Sequence, residues 1–126
     1  MKINRVLICG SRAWSDVGRI ESFFDDWVGK IPHTERVKRM VITGGARGAD
    51  QIADRVADRF GVQRVVIPAN WTGYGRSAGP KRNALMLDLM EPDYCVAFRS
   101  PGESRGTDSM IALCRARGVD VVVVSP

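Results

Sequence analysis

Histidine is nearly missing from the chain, which has only His33. It sits beside Pro32 in a polar connection, and one imidazole excludes a His-based catalytic triad or a multi-histidine metal centre. Cysteine is scarce and odd in number. Cys9, Cys95 and Cys114 share no CxxC or Cys/His spacing, and each falls in an apolar context, so buried reduced thiols are expected. Neither the Rossmann GxGxxG pattern nor the Walker phosphate-loop pattern occurs. No run approaches the roughly 20 apolar residues that span a bilayer. Residues 1 to 9 show no signal-peptide pattern either, so a cytoplasmic protein without a membrane partner is expected.

What is present is ordinary for a globular protein: 44% hydrophobic and 26% charged residues in a chain of 126, a length that fits one domain. The formal charge of +5 favours anionic partners. Short continuous apolar runs at Arg5–Cys9, Val41–Thr43, Arg64–Ile67, Tyr94–Phe98 and Val121–Val124 read as strands covered on both faces. Between them, Asp16–Val28, Ala49–Phe60, Pro80–Met90 and Thr107–Arg117 carry helical spacing or helix start and stop signals. Gly29–Arg39 is polar and reads as a surface connection. Alternation of this kind predicts a single doubly wound, Rossmann-like α/β domain over residues 1–126, with a mainly parallel five-stranded sheet.

In such sheets ligands bind outside the carboxyl ends of the strands. That rule selects Gly10–Ser15, Gly44–Gly48, Pro68–Gly79 and Arg99–Gly106, which together bring Arg12, Arg47, Arg76, Arg99 and Arg105 to one rim. Lys81 and Arg82 add to these from the third helix. Cations at a helix start oppose the helix dipole unless an anion sits there, and helix N-termini supply free N–H donors for phosphate. A phosphate-bearing ligand is therefore expected.

The stretch VITGGARGAD places Gly44, Gly45, Arg47 and Gly48 where a strand hands over to a helix. Gly44 and Gly45 would permit a sharp turn, Gly48 a close approach of helix to sheet, and the amides of Ala46 to Ala49 would face a phosphate. Asp50, in the first helical turn, either pairs with the dipole or bonds a ribose hydroxyl. Trp71 and Tyr74 stand beside glycines and Arg76, suited to stacking on a base, although Trp71 is equally suited to capping the core. Asn83 can read a base edge or a ribose. Gly10, Ser11, Gly106 and Thr107 lie at loop or helix starts, where Ser11 and Thr107 either cap a helix or bond a phosphate. Ser11, Ser77, Ser100 and Ser104 have no histidine to activate them. Glu103 and Asp108 are the carboxylates of the fourth loop, either loop and dipole partners or the pair that glycosidic-bond chemistry needs.

"GSR", "TGGARGADQIA", "YGRSAGPKRNALM" and a late "RGTDSM" before "RARGVDVVVV" occur in that order. Together they resemble the YspA-like branch of the SLOG superfamily, over nearly the whole chain. The resemblance implies a Rossmann-like domain that binds a nucleotide or a nucleotide-derived ligand; no cofactor and no metal are expected. It also implies two alternatives. Lonely-guy phosphoribohydrolases are similar at "KRNALM", where Arg82 matches their catalytic arginine. Their PGGxGTxxE motif is only partly kept: Pro101-Gly102 leads to Gly106-Thr107, and Met110 holds the place of the glutamate, leaving Glu103 or Asp108 as substitutes in a nucleotide N-glycosidase. The DNA-processing protein A family is similar at "GGARGAD" and at the Arg82-Asn83 pair, which implies single-stranded nucleic acid as a partner. Apolar positions on the Asp16–Val28 or Pro80–Met90 helix would serve a homo-oligomer.

Overall fold

Strands buried on both faces must divide their side chains between two cores, and β1 (Lys2–Gly10) does so. Val6 and Ile8 join one apolar cluster, Leu7 and Cys9 the other, and Val6, Leu7 and Ile8 are fully buried. The structure is a computed structural model and describes residues 2–29 and 37–126. His33 and most of the polar connection lie outside the described residues.

After β1 come α1 (Val17–Gly29), β2 (Val37–Thr43), α2 (Ala49–Arg59) and β3 (Gln63–Val66). A four-residue helical turn, α3 (Trp71–Tyr74), and a 3-10 turn (Gly75–Ser77) lead into α4 (Ala78–Met90). Then follow β4 (Tyr94–Phe98), α5 (Arg105–Ala116) and β5 (Asp120–Val124). The five strands form one sheet in the order β3-β2-β1-β4-β5, and every pairing is parallel. This is the expected Rossmann-like α/β architecture, with the sheet wholly parallel.

Helices α1 and α2 cover one face: Ile20, Phe24 and Trp27, with Ala49, Ala53 and Val56, pack on Val6, Ile8, Val41, Val96 and Phe98. Helices α4 and α5 cover the other: Met86 and Leu87, with Met110, Ile111 and Cys114, pack on Leu7, Cys9, Ile42, Cys95 and Ala97. Each fully buried aliphatic or aromatic side chain contributes about 1.5–3 kcal/mol. All three cysteines are buried free thiols, and the Cys9 and Cys95 sulfurs lie 3.8 Å apart.

Several boundaries differ from the sequence-based expectation. β2 begins at Val37, inside the segment expected to be a connection, because parallel pairing to β1 uses the backbone and tolerates Lys38 and Arg39 at the strand start. The third connection is helical where an irregular loop was expected. Asn70 caps α3 by accepting the Gly73 amide at 2.9 Å, and α4 begins at Ala78, two residues before Pro80. Proline is tolerated there because the first four amides of a helix have no intrahelical partner. Helix α5 starts at Arg105, so Thr107 lies in its first turn and is not its cap.

The chain builds β1, β2 and β3 outward in one direction and then returns to the far side of β1 for β4 and β5. The connections leaving β1 and β4 therefore part at their carboxyl ends, where α/β sheets of this kind open a crevice.

Candidate functional site

A cavity of about 640 Å³ occupies this crevice, well within the range of small-molecule sites. Its floor is apolar, made by Ile8, Cys9, Met86 and Met110, and its walls come from all four connections.

The first connection is fixed by contacts that leave no room for side chains. A Cβ on Gly10 would run into Ala49 and the Phe98 carbonyl. Trp14 is buried and meets Phe98 edge to face at 5.4 Å. Ser11 thereby becomes an inner residue, 4% exposed, whose Oγ accepts the Ser100 amide at 2.9 Å and meets Ser104 Oγ at 3.0 Å. Ser104 in turn donates to Thr107 Oγ1 at 2.9 Å, so its one proton is committed and Ser11 is the donor of that pair. The chain of hydroxyls ties β1 to the start of α5 and leaves the Thr107 proton as its free end.

The second connection closes on itself. Asp50 is 5% exposed, and its Oδ2 accepts the amides of Gly44 and Ala46, both at 3.2 Å. The Ala49 amide goes to the Ser11 carbonyl at 3.3 Å. The expectation that the Ala46 and Ala49 amides face a phosphate is thereby corrected: both are already used inside the protein. Gly45 makes the sharp turn with φ 72°, as expected. Gly48, with φ 78°, lies against the carbonyls of Ser11 and Arg12, so its close approach is to the first connection. Gly44 makes room for a guanidinium, because a Cβ there would collide with Arg82.

Arg82 reaches from α4 beneath two connections. Its Nη1 donates to the carbonyls of Gly44 (2.9 Å) and Ile67 (3.5 Å), and its Nε to Asn83 Oδ1 (2.9 Å). Gly44 is thus held at its amide by Asp50 and at its carbonyl by Arg82. Burial pushes the Asp50 carboxyl up to about 6, against the Ala46 amide bond and the charge of Arg82. Burial also lowers Arg82, which Asp50 opposes.

In the third connection Trp71 is 51% exposed and stands as a cavity wall, so it does not cap the core. The Arg12 guanidinium lies 6.0 Å from its ring centroid. Tyr74 is equally exposed, with the Lys81 ammonium 4.3 Å over its ring.

In the fourth, Arg99 grips Asp108 through two bonds of 2.6 and 2.9 Å and donates to the carbonyls of Ser100 and Gly102. Arg99 shapes the loop and is not among the cavity's arginines. Glu103 pairs with Arg105 on the exposed rim. At the head of α5, Gly106 has open space where a Cβ would stand, and Thr107 is 5% exposed.

Of the residues expected at a ligand site, the cavity gathers Gly10, Ser11, Arg12, Gly44, Asp50, Trp71, Arg76, Arg82, Asn83, Glu103, Gly106 and Thr107. Gly45, Arg47, Gly48 and Tyr74 lie outside its lining. Sequence reasoning misses Ile8, Cys9 and Met86 of the floor, because apolar residues at strand and helix spacing read as core, and it marks Met110 only as standing in the place of a motif glutamate. Ser100 and Ser104 were considered only as nucleophiles, and their hydroxyl and amide bonds to Ser11 had no local signal.

The family described as YAcAr, the YspA, cpYpsA-related SLOG family, matches residues 4–74, more than half of the chain. The chain belongs to this SLOG family. The matched residues run from β1 through α3 and hold the first two connections of the cavity. The Gene 61 protein of Mycobacterium phage D29 is 35% identical over 95% of each chain, so that likeness extends into the α4 and α5 side of this SLOG protein. DNA processing protein A from Streptococcus pneumoniae superposes with a TM-score of 0.56 at 15% identity, which shows a shared fold. The match takes in 95% of this SLOG chain and 58% of that protein.

Proposed function

We propose that the chain is a single nucleotide-binding unit that holds a nucleotide or nucleotide-derived ligand in this cavity. The observation that carries the reading is the start of α5. Arg105, an unobstructed Gly106 and Thr107 at the end of the Ser11–Ser104–Thr107 hydroxyl chain line a cavity that also contains Arg12, Arg76 and Arg82. A helix N-terminus with arginines opposite is suited to a phosphate. The phosphate sits at α5, while Trp71 and Asn83 receive the base and ribose. SLOG membership agrees with a nucleotide-related ligand.

Binding is favoured over glycosidic-bond cleavage by the state of the carboxylates. Asp50 has one oxygen tied to two amides, Glu103 is paired with Arg105, and Met110 is buried in the floor. Arg82 is correspondingly a clamp on two connections. Single-stranded DNA is a second reading, favoured by Tyr74 with Lys81 and by Arg47, which are exposed outside the cavity lining.

The test is a thermal-shift panel at fixed salt with AMP, GMP, ADP, ATP, ADP-ribose, cyclic dinucleotides and a short single-stranded DNA. A ligand at about 100 times its Kd adds roughly 2.7 kcal/mol, a shift of several degrees for a chain of this size. A response to one nucleotide class, lost in Arg12→Ala and Thr107→Val, supports the cavity. Silence from every nucleotide with a salt-sensitive response to DNA moves the reading to nucleic acid.

A further inference from the structure

Asp50 has a feature that holding its loop does not account for. Oδ2 accepts two amides, whereas Oδ1 is buried and has no hydrogen-bond partner among the described residues. A buried unpartnered carboxylate oxygen is costly when charged, unless a nearby cation compensates. The compensating cations are Arg82 on α4 and Arg12 in the first connection. Both also line the cavity, so the charges that keep Asp50 ionised are those a bound phosphate draws on. Arg82 is held by its bonds to Gly44, Ile67 and Asn83.

We propose that Asp50 determines the charge of the ligand this cavity accepts, taking up one proton on Oδ1 when a phosphate-bearing group is seated beside Arg82 and Arg12. The proposal rests on the ligand reading above. The proton comes from solvent, Oδ2 keeps its two amide bonds, and no covalent bond changes apart from the new O–H. An anion near Arg82 and Arg12 cancels the field that stabilises the carboxylate, and a like charge nearby raises a carboxyl pKa. Around Asp50, the Gly44 and Ala46 amides do not titrate, Cys9 lies in the cavity floor, and Glu103 is paired with Arg105 on the rim. Cys95, hydrogen-bonded to Cys114, is pushed well above the ordinary thiol range by its bond to Cys9 and by burial, so it stays neutral. Because burial already brings Asp50 up to about 6, the uptake falls near neutral pH.

The experiment follows the Asp50 carboxyl carbon by NMR from pH 4.5 to 8, free and with saturating ADP-ribose, whose diester phosphates keep their charge over that range. The expected midpoint near 6 in the free protein moves up by about one unit or more when the probe binds. A midpoint that stays or falls while the Gly106 and Thr107 amides report a bound probe overturns the proposal and leaves the ligand reading intact. Amides that move neither with ADP-ribose nor with any of AMP, GMP, ADP, ATP or a cyclic dinucleotide in its place defeat both, and are recognised by that. Calorimetry of the probe in buffers of different ionisation enthalpy gives an independent readout. Wild type takes up a proton on binding and Asp50→Asn does not; equal uptake by the two overturns the proposal.

Discussion

The starts of α2 and α5 are two answers to one problem. Each is a glycine- and arginine-bearing turn from a strand into a helix, on the same rim, with an aspartate in or just after the first helical turn. At α2 the aspartate turns inward: Asp50 takes the Gly44 and Ala46 amides and closes the loop on itself. At α5 it turns outward: Asp108 is held by Arg99 on the surface, and Arg105, Gly106 and Thr107 of the first turn line the cavity. Glycine content therefore does not distinguish a turn built to meet a ligand from one built to meet the rest of the protein. The direction of one carboxylate does.

The comparison is broken most forcefully by adding one methyl group on each side. Gly48→Ala places a Cβ on a backbone with φ 78° and ψ −126° and drives it into the Ser11 and Arg12 carbonyls. Strain of this kind and overpacking against backbone together cost about 3 kcal/mol. Gly106→Ala meets nothing and gains helix propensity, so stability holds or rises by up to about 1 kcal/mol. Urea unfolding of the two variants checks both values. Equal destabilisation would mean that the start of α5 is as closely packed as that of α2.

Acid titration sharpens the contrast through its sign. The Asp50 carboxyl is raised from 3.8 to about 6 in the folded protein, so between those values the native state binds more protons than the unfolded chain. Stability from this group is fully present below about 4 and is lost as pH rises through 6. A shift of this size corresponds to about 3 kcal/mol. Relative to Asp50→Asn, wild type should therefore lose about that much between pH 4 and pH 7 in denaturant titrations. A flat difference across that range would mean that Asp50 is not desolvated.

The fold was legible because buried parallel strands and amphipathic helices write their pattern locally. Val6 and Ile8 against Leu7 and Cys9, or Ile52 with Val56 and Ala53 with Ala57 along α2, are visible at two- and four-residue spacing. The rim was legible for the same reason, since strand ends are fixed once strands are placed. What could not be read was partnership across the rim. Ser11 meets Ser104 across 93 positions, and Arg82 reaches Gly44 across 38. Those bonds decide which amides remain free. Hence Arg47 and Gly48 looked like phosphate ligands although the cavity lining passes them by, and Met110, which reads in the sequence only as standing in the place of a motif glutamate, floors the cavity with Met86.

The smallest effect belongs to the outward aspartate and has the opposite sign. The hydrogen bond from Arg99, helped by its charge, holds the Asp108 carboxyl below its ordinary value. Its contribution to stability is therefore present above the ordinary carboxylate range and is lost as pH falls, the reverse of Asp50. Both partners are accessible to solvent, which weakens such pairs. Asp108→Asn should shift the unfolding midpoint less than any variant above, and only on the neutral side of the titration. Its more informative readout is the loop: without Asp108, Arg99 retains only the Ser100 and Gly102 carbonyls, and amide exchange should quicken from Ser100 to Ser104. If exchange instead quickens around Gly44 and Ala46, the two helix starts are coupled through Ser11, and the division between a closed turn and an open one fails.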